Sequence, residues 1–167
     1  MPEYALSPAS QEEIRKTIER FQPHPEAATL HVLWIAQRQF GWLPPEALEL
    51  CAQALQLPAA RVEGVASFYT MFKLKPTGRY HVQICRNLSC AMLGAVGTSD
   101  RICKKLGVKL GETTKDGMFT VEHVECLAAC GIAPAVQVNE EYHGNMRGEK
   151  LDQLLDVLRE REKQAKA

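Results

Sequence analysis

The stretch YHVQICRNLSC, residues 80–90, decides the fold of the second half of the chain. Along its first six residues apolar side chains alternate with other types, a period typical of a half-buried β-strand. These apolar residues are Tyr80, Val82 and Ile84. The strand ends at Cys85, and four residues separate this cysteine from Cys90. We therefore predict a strand that delivers a pair of thiols to a loop.

A second predicted strand is followed by cysteines in the same way. This strand covers about residues 119–124, and Cys126 and Cys130 come just after it, with three residues between them. Since each pair of cysteines follows a strand, we expect the two loops to emerge at the same end of the sheet. Such loops would bring four thiolates around one centre.

Further elements complete this half. A helix is predicted over residues 91–106, closed by Gly107, and two short strands follow over residues 135–138 and near Tyr142. A last helix carries Leu151, Leu154, Leu155 and Leu158. The charged tail from Glu160 is predicted to fray. The order β-α-β-β-α is that of a small α/β sandwich.

The first 72 residues or so show helical periodicity instead. Ser7 and Pro8 supply the N-cap and first residue of a helix that Pro23 stops. Three further helices are predicted to begin near Pro25, Pro44 and Pro58. Pro76 and Gly78 mark a connection. We therefore divide the chain into an N-terminal helical domain, residues 1–75, and a second domain, residues 76–167.

Composition and charge exclude several classes of protein. The 167 residues include 20 lysines and arginines against 20 aspartates and glutamates, so the formal net charge is zero. Without a basic half or stripe, nucleic-acid or anionic-membrane binding is not expected. The longest apolar stretch, residues 27–36, is shorter than the roughly 20 residues of a bilayer span. No secretory signal is visible at Met1–Ala5, and we expect a soluble intracellular chain.

The four clustered cysteines leave a choice of chemistry. Disulfides are not expected in a reducing compartment, and a C-x-x-C redox dithiol is absent. Structural zinc also takes four thiolates, but it favours closer C-x2-C pairs. A [2Fe–2S] cluster usually takes four cysteines, and C-x4-C is a known opening spacing. The spacing favours the cluster, with zinc as the alternative.

The predicted surroundings of this site suggest a low reduction potential. Backbone N–H groups of Asn87–Ser89 and of Ala128–Gly131 are available as donors to the sulfurs. Arg86 is the one cation close in sequence, whereas Glu122 and Glu125 are anions. We therefore expect a potential on the order of −400 mV, as in plant-type clusters.

The remaining residues supply no substrate site. Cys51 and Cys103 lie within predicted amphipathic helices and are interpreted as small buried hydrophobic residues. The chain has no dinucleotide-binding motif and no P-loop, and its five histidines form no ligand-spaced group. One-electron chemistry without a substrate site requires partners that supply and accept electrons.

The ordered motifs resemble the NuoE-type small [2Fe–2S] subunit of respiratory complex I, the NADH:quinone oxidoreductase. They run over about nine-tenths of the chain, from Leu6 to Leu158. The segments that carry the resemblance are residues 64–72, 76–80, 85–90, 111–117 and 124–134. One departure is Ala128, where the family usually has glycine. If this position requires a positive φ, the alanine is strained by roughly 1 kcal/mol.

The resemblance implies a fold, a cofactor and partners. The fold is of the α+β or α/β class, with an N-terminal helical bundle followed by a thioredoxin-like domain whose central mixed sheet is flanked by helices. Cys85, Cys90, Cys126 and Cys130 would hold the cluster. A larger NuoF-type flavoprotein would bind FMN and NADH, beside a NuoG-type iron–sulfur subunit. The resemblance places the complex on the cytoplasmic side of the inner membrane and the cluster off the main path to quinone.

Three other functions remain open from the sequence. The equivalent subunit of an NAD-reducing hydrogenase or NAD-dependent formate dehydrogenase keeps the same chemistry in another complex. A stand-alone thioredoxin-like ferredoxin would not need the helical extension of about 70 residues. A zinc-stabilised interaction module would have no redox function.

Overall fold

The computed structural model describes residues 4–166, so residues 1–3 and Ala167 of the two expected domains lie outside the described part. Contacts divide the chain into two compact units, between Pro76 and Thr77. Each unit has its own hydrophobic core. Within residues 4–166, no helix combines the length and apolar character that crossing a membrane demands.

The first unit is helical, as predicted. Its helices are α1 (Pro8–Arg20), α2 (Thr29–Phe40), α3 (Pro45–Leu55) and α4 (Ala59–Phe68), with a 3-10 turn at Pro25–Ala28. The Ser7 hydroxyl caps α1 by accepting from the Ser10 N–H at 3.1 Å. Gly41 ends α2 at φ +80°, a conformation that glycine adopts without strain. The helix predicted to begin near Pro25 starts as this 3-10 turn and becomes α-helical at Thr29.

The second unit is built on a four-stranded mixed sheet. Its elements are β1 (Tyr80–Cys85), α5 (Leu88–Met92), α6 (Ala95–Leu106), β2 (Phe119–Val124), β3 (Val136–Val138), β4 (Glu141–His143) and α7 (Gly148–Lys166). The strand order is β2-β1-β3-β4. β1 and β2 are parallel, and β3 is antiparallel to both β1 and β4. Residues of α6 and α7 share one apolar core with the sheet, which confirms the mixed α/β class and a sheet flanked by helices.

The prediction that β1 is half-buried is wrong. The residues expected on an open face, His81, Gln83 and Cys85, are all buried. β1 lies inside the sheet, with a strand on each side. The Gln83 amide donates to Glu122 of β2 at 3.0 Å, so the polar face of the sheet carries its own hydrogen bonds. Alternation along the sequence identified the strand but did not reveal that its second face is buried.

Two helix predictions also need correction. The single helix expected over residues 91–106 is two helices, because Leu93 and Gly94 interrupt it and Gly94 has φ +94°. The tail from Glu160 does not fray but continues α7 to Lys166. Within this tail the buried Glu162 carboxylate pairs with Arg79 at 2.7 Å. These two residues are 83 positions apart in the sequence, so local periodicity does not reveal their contact.

Candidate functional site

The parallel pairing of β1 and β2 places the two cysteine loops at one edge of the sheet. Cys85, the last residue of β1, is paired in register with Val124, the last residue of β2. Cys126 follows two residues later. Because parallel strands end at the same edge, the predicted common origin of the two loops is confirmed.

The second member of each pair stands on a short helical turn. Cys90 lies in α5, whose N-cap residue is Asn87. Cys130 begins a 3-10 turn over Cys130–Ile132. After this turn the Ala133–Pro134 peptide bond is cis, and the chain enters β3. Each loop thus presents one thiol at or just after the end of a strand and one from a helical turn.

The structure brings all four predicted thiols together. The Cys85 thiol interacts with the thiols of Cys90 and Cys126, and Cys90 also interacts with Cys130. All four cysteines are free of disulfides. Among residues 4–166, no three His, Cys, Asp or Glu side chains form a group that could hold a single metal ion.

The two pairs differ in exposure. Cys85 is 3% exposed and Cys90 is 2% exposed, whereas Cys126 and Cys130 are both exposed. The buried pair packs with Ala95, Ala133 and Ala135, and these small side chains line one side of the thiol group. One side of the site is therefore closed by protein and the other is open.

Backbone N–H groups point at the sulfurs. Burial alone would raise the pKa of Cys85, but N–H donors from Asn87 and Leu127, together with the neighbouring thiols, lower it below its usual range. Burial raises the pKa of Cys90, even though the Ala135 N–H donates to its sulfur. The donors at Asn87 and at Ala128 were anticipated from the sequence. Those at Leu127 and Ala135 were missed, since a loop sequence does not show which N–H groups face a sulfur.

Ala128 adopts the positive φ that strains an alanine. Its φ is +53°, in the left-handed region that favours glycine. In this conformation its N–H donates to the Cys126 sulfur at 3.3 Å. The loop therefore keeps the hydrogen bond to sulfur at a strain cost of roughly 1 kcal/mol.

The other two cysteines take no part in the thiol group. Cys51 is fully buried in the core of the helical unit, and burial raises its pKa to about 12. Cys103 lies on α6, half-buried, and burial raises the pKa of its thiol as well. Both behave as core residues rather than as reactive thiols.

An ion pair that the sequence did not reveal joins the two loops. Arg86, next to Cys85, pairs with Glu125, next to Cys126. The sequence identifies Arg86 as a cation and Glu125 as an anion near the site, without pairing them. One signal could have found the pair. Arg86 and Glu125 each come one residue after a strand end, and the two strands end opposite each other.

The donor set fits a [2Fe–2S] cluster. Four thiolates are the usual ligands of such a cluster, and each iron takes two of them. Cys85 interacts with Cys90 and Cys126, and N–H groups of the loops are directed at the sulfurs. Hydrogen bonds to the sulfurs are one means by which proteins set the reduction potential of an iron–sulfur cluster.

Comparison with known proteins agrees with this donor set. Residues 14–159 match the family of thioredoxin-like [2Fe–2S] ferredoxins. The chain is 42% identical to the NADH-quinone oxidoreductase E-type subunit 2 of Rhizobium meliloti (strain 1021) over 152 residues, which cover 91% of this chain and 90% of the relative. It is 45% identical to the E-type subunit of the same enzyme from Rickettsia felis over 142 residues, covering 83% of this chain and 84% of that one.

A solved structure shows the same fold. A chain of an NAD+-reducing [NiFe]-hydrogenase in the air-oxidized state aligns with a TM-score of 0.67 and 22% sequence identity. The alignment covers 77% of this chain and 23% of the hydrogenase chain. Since the family match and the relatives both span most of the sequence, the chain belongs to the thioredoxin-like [2Fe–2S] ferredoxin family.

Proposed function

We propose that this chain is the small electron-transfer subunit of an NADH:quinone oxidoreductase and that it holds one low-potential [2Fe–2S] cluster. The observation that carries the proposal is the convergence of four free thiols from two parallel strand ends. The relatives from Rhizobium and Rickettsia, both named as subunits of NADH-quinone oxidoreductase, support the choice of complex. When bound, the cluster would accept and release one electron at a time.

Cys85, Cys90, Cys126 and Cys130 would be the iron ligands. The first two, closed in by alanines, exclude water from one side of the site. The N–H groups of Asn87, Leu127, Ala128 and Ala135 donate hydrogen bonds to three of the sulfurs.

The chain would act as part of a larger assembly. We propose that a NuoF-type flavoprotein subunit binds FMN and NADH beside it, that a NuoG-type subunit completes the module, and that the assembly lies on the cytoplasmic side of the inner membrane. The chain itself would carry no complete active site. The naming of the relatives as subunits supports an assembly of this kind.

An iron–sulfur assay tests the cofactor. The full chain is purified without oxygen, its iron, acid-labile sulfide and zinc are measured, and EPR spectra are recorded after dithionite reduction. We expect two irons and two sulfides for each chain and the spectrum of a reduced [2Fe–2S] cluster. A colourless protein with zinc and no sulfide would contradict the proposal.

Gentle pull-down from cells tests the complex. Recovery of a flavoprotein together with proton-pumping membrane subunits supports the proposed complex. Recovery of hydrogenase or formate-oxidising subunits would assign the chain to the alternative, an equivalent NAD-linked module. The fold shared with a chain of an NAD+-reducing hydrogenase is the reason to include that outcome.

A further inference from the structure

The two cysteine loops contain one cation and one anion. Within residues 85–90 the charged residue is Arg86, and within residues 124–131 it is Glu125. Arg86 directly follows one proposed ligand, Cys85, and Glu125 directly precedes another, Cys126. The effect of charged loop side chains on the site therefore depends on how this one pair is arranged.

The register of the sheet puts the two charges side by side. Cys85 is opposite Val124, so the next residues along the two parallel strands are Arg86 and Glu125. The Arg86 N–H donates to the Val124 carbonyl at 3.1 Å, which continues the pairing one step beyond the strands. The guanidinium then forms an ion pair with the Glu125 carboxylate. This contact links the two loops across the edge of the sheet.

The position of the pair matters more than its strength. The Arg86 side chain is 55% exposed and that of Glu125 is 72% exposed, and ion pairs of such exposure contribute little to stability. The Arg86 guanidinium is charged, as arginine always is in proteins. The two opposite charges thus belong to residues that adjoin Cys85 and Cys126 in the sequence.

We propose that Glu125 compensates the charge of Arg86 and so keeps the reduction potential of the site low. The inference rests on the proposed [2Fe–2S] function. Reduction adds one negative charge to a site that already holds four thiolates. An unpaired cation next to Cys85 favours this added charge, and an unpaired anion next to Cys126 opposes it. As a pair, the two side chains cancel most of each other's effect.

A mechanical tie between the loops would behave differently. If the contact served only to hold the loops together, removing either partner would loosen the same link. The two single variants would then change the site in the same direction, and the double variant would not restore it. Charge compensation instead predicts opposite shifts that cancel when both charges are removed.

The test is an anaerobic redox titration, followed by EPR, of the full chain carrying its cluster. Four proteins are compared: the unchanged chain, Glu125→Gln, Arg86→Gln and the double variant. We expect Glu125→Gln to raise the midpoint potential and Arg86→Gln to lower it. At a fixed applied potential the ratio of reduced to oxidised protein then changes several-fold in opposite directions. The double variant should return close to the unchanged chain.

Asp156→Asn is a matched control in the same unit. Asp156 is 61% exposed and pairs with Lys105 at 2.9 Å, near the end of α6. Lys105 lies ten residues, or about 15 Å along the helix, from Ala95, which packs against the cysteines. This variant changes the net charge as Glu125→Gln does, but at a distance where salt screens the effect. We expect its potential to match that of the unchanged chain.

Three results would overturn the inference. They are shifts of both single variants in the same direction, shifts no larger than that of Asp156→Asn, and failure of either glutamine variant to hold a cluster. An unchanged chain without iron and sulfide would instead contradict the proposed function, and the inference with it. The metal assay on the unchanged chain therefore separates the two kinds of failure.

Discussion

The two cysteine loops reach the same site by different structural means. The first loop, residues 85–90, runs from a strand inside the sheet into the capped helix α5, and both of its thiols are buried. The second loop, residues 126–130, follows the edge strand β2, exposes both of its thiols and contains Ala128 at positive φ. Regular structure thus fixes the first loop, whereas the second depends on its own backbone and on the turn after it.

The largest expected effect comes from replacing a thiol in each loop. Cys85→Ser puts a hydroxyl in a buried position, where forming the anionic ligand is costly, so we expect the cluster to be lost. Cys126→Ser puts the hydroxyl where solvent reaches it, so we expect a bound cluster with an altered EPR spectrum. Iron and sulfide for each chain, measured together with EPR, check both outcomes.

Variants of the other two cysteines are the control for this experiment. Cys51→Ser and Cys103→Ser should leave the EPR spectrum unchanged, because neither thiol belongs to the site. Equal loss of cluster from Cys85→Ser and Cys126→Ser would show that burial does not separate the two loops.

Alkylation of the chain freed of metal compares the loops directly. We expect iodoacetamide to modify Cys126 and Cys130 on the order of tenfold faster than Cys85 and Cys90, because a buried sulfur is protected even when its pKa is low. Cys51, with a pKa of about 12, should react only on unfolding. Mass spectrometry of the modified peptides gives the rates. Uniform reaction at all four site thiols would mean that the first loop opens without metal.

A glycine substitution tests the support beneath the second loop. A Cβ on Gly144 would lie 2.4 Å from the Cβ of Ile132, which ends the turn begun by Cys130. We expect Gly144→Ala to lower the free energy of unfolding by about 1–3 kcal/mol, as overpacking does. Gly131→Ala is the control, since a Cβ there meets nothing within 4 Å. Chemical denaturation followed by circular dichroism distinguishes them, and equal effects would contradict this explanation.

The smallest effect is expected at Ala128. Because its φ is +53°, Ala128→Gly should relieve strain and raise the free energy of unfolding by about 0.5–1 kcal/mol. Its neighbour Ala129 has φ −108°, so Ala129→Gly should destabilise the protein instead. Denaturation curves of the two variants should therefore move in opposite directions. A fall in stability for both would show that the left-handed conformation costs the alanine nothing.

The sequence predicted the parts of the site that depend on local pattern. Alternation over residues 80–85 and 119–124 located both strands, and the cysteines after them located the loops. The sequence did not predict that the helix is interrupted at Gly94, because a single glycine also occurs within helices. It missed the Arg86–Glu125 pair and the N–H donor at Ala135, which depend on strand register rather than on neighbouring residues. The helical tail was missed for the same reason, since Glu162 pairs with the distant Arg79.

The order of strands also determines where this chain tolerates a change of length. β1 is paired on both sides, so an inserted residue between Cys85 and Cys90 would have to be absorbed between a fixed strand end and α5. The connection from α6 to β2, residues 107–118, is held as well, because Gly111 donates to Val121 and Thr114 donates to Phe119. A change of length is therefore least tolerated in these two segments, each of which adjoins a strand that leads to the thiols.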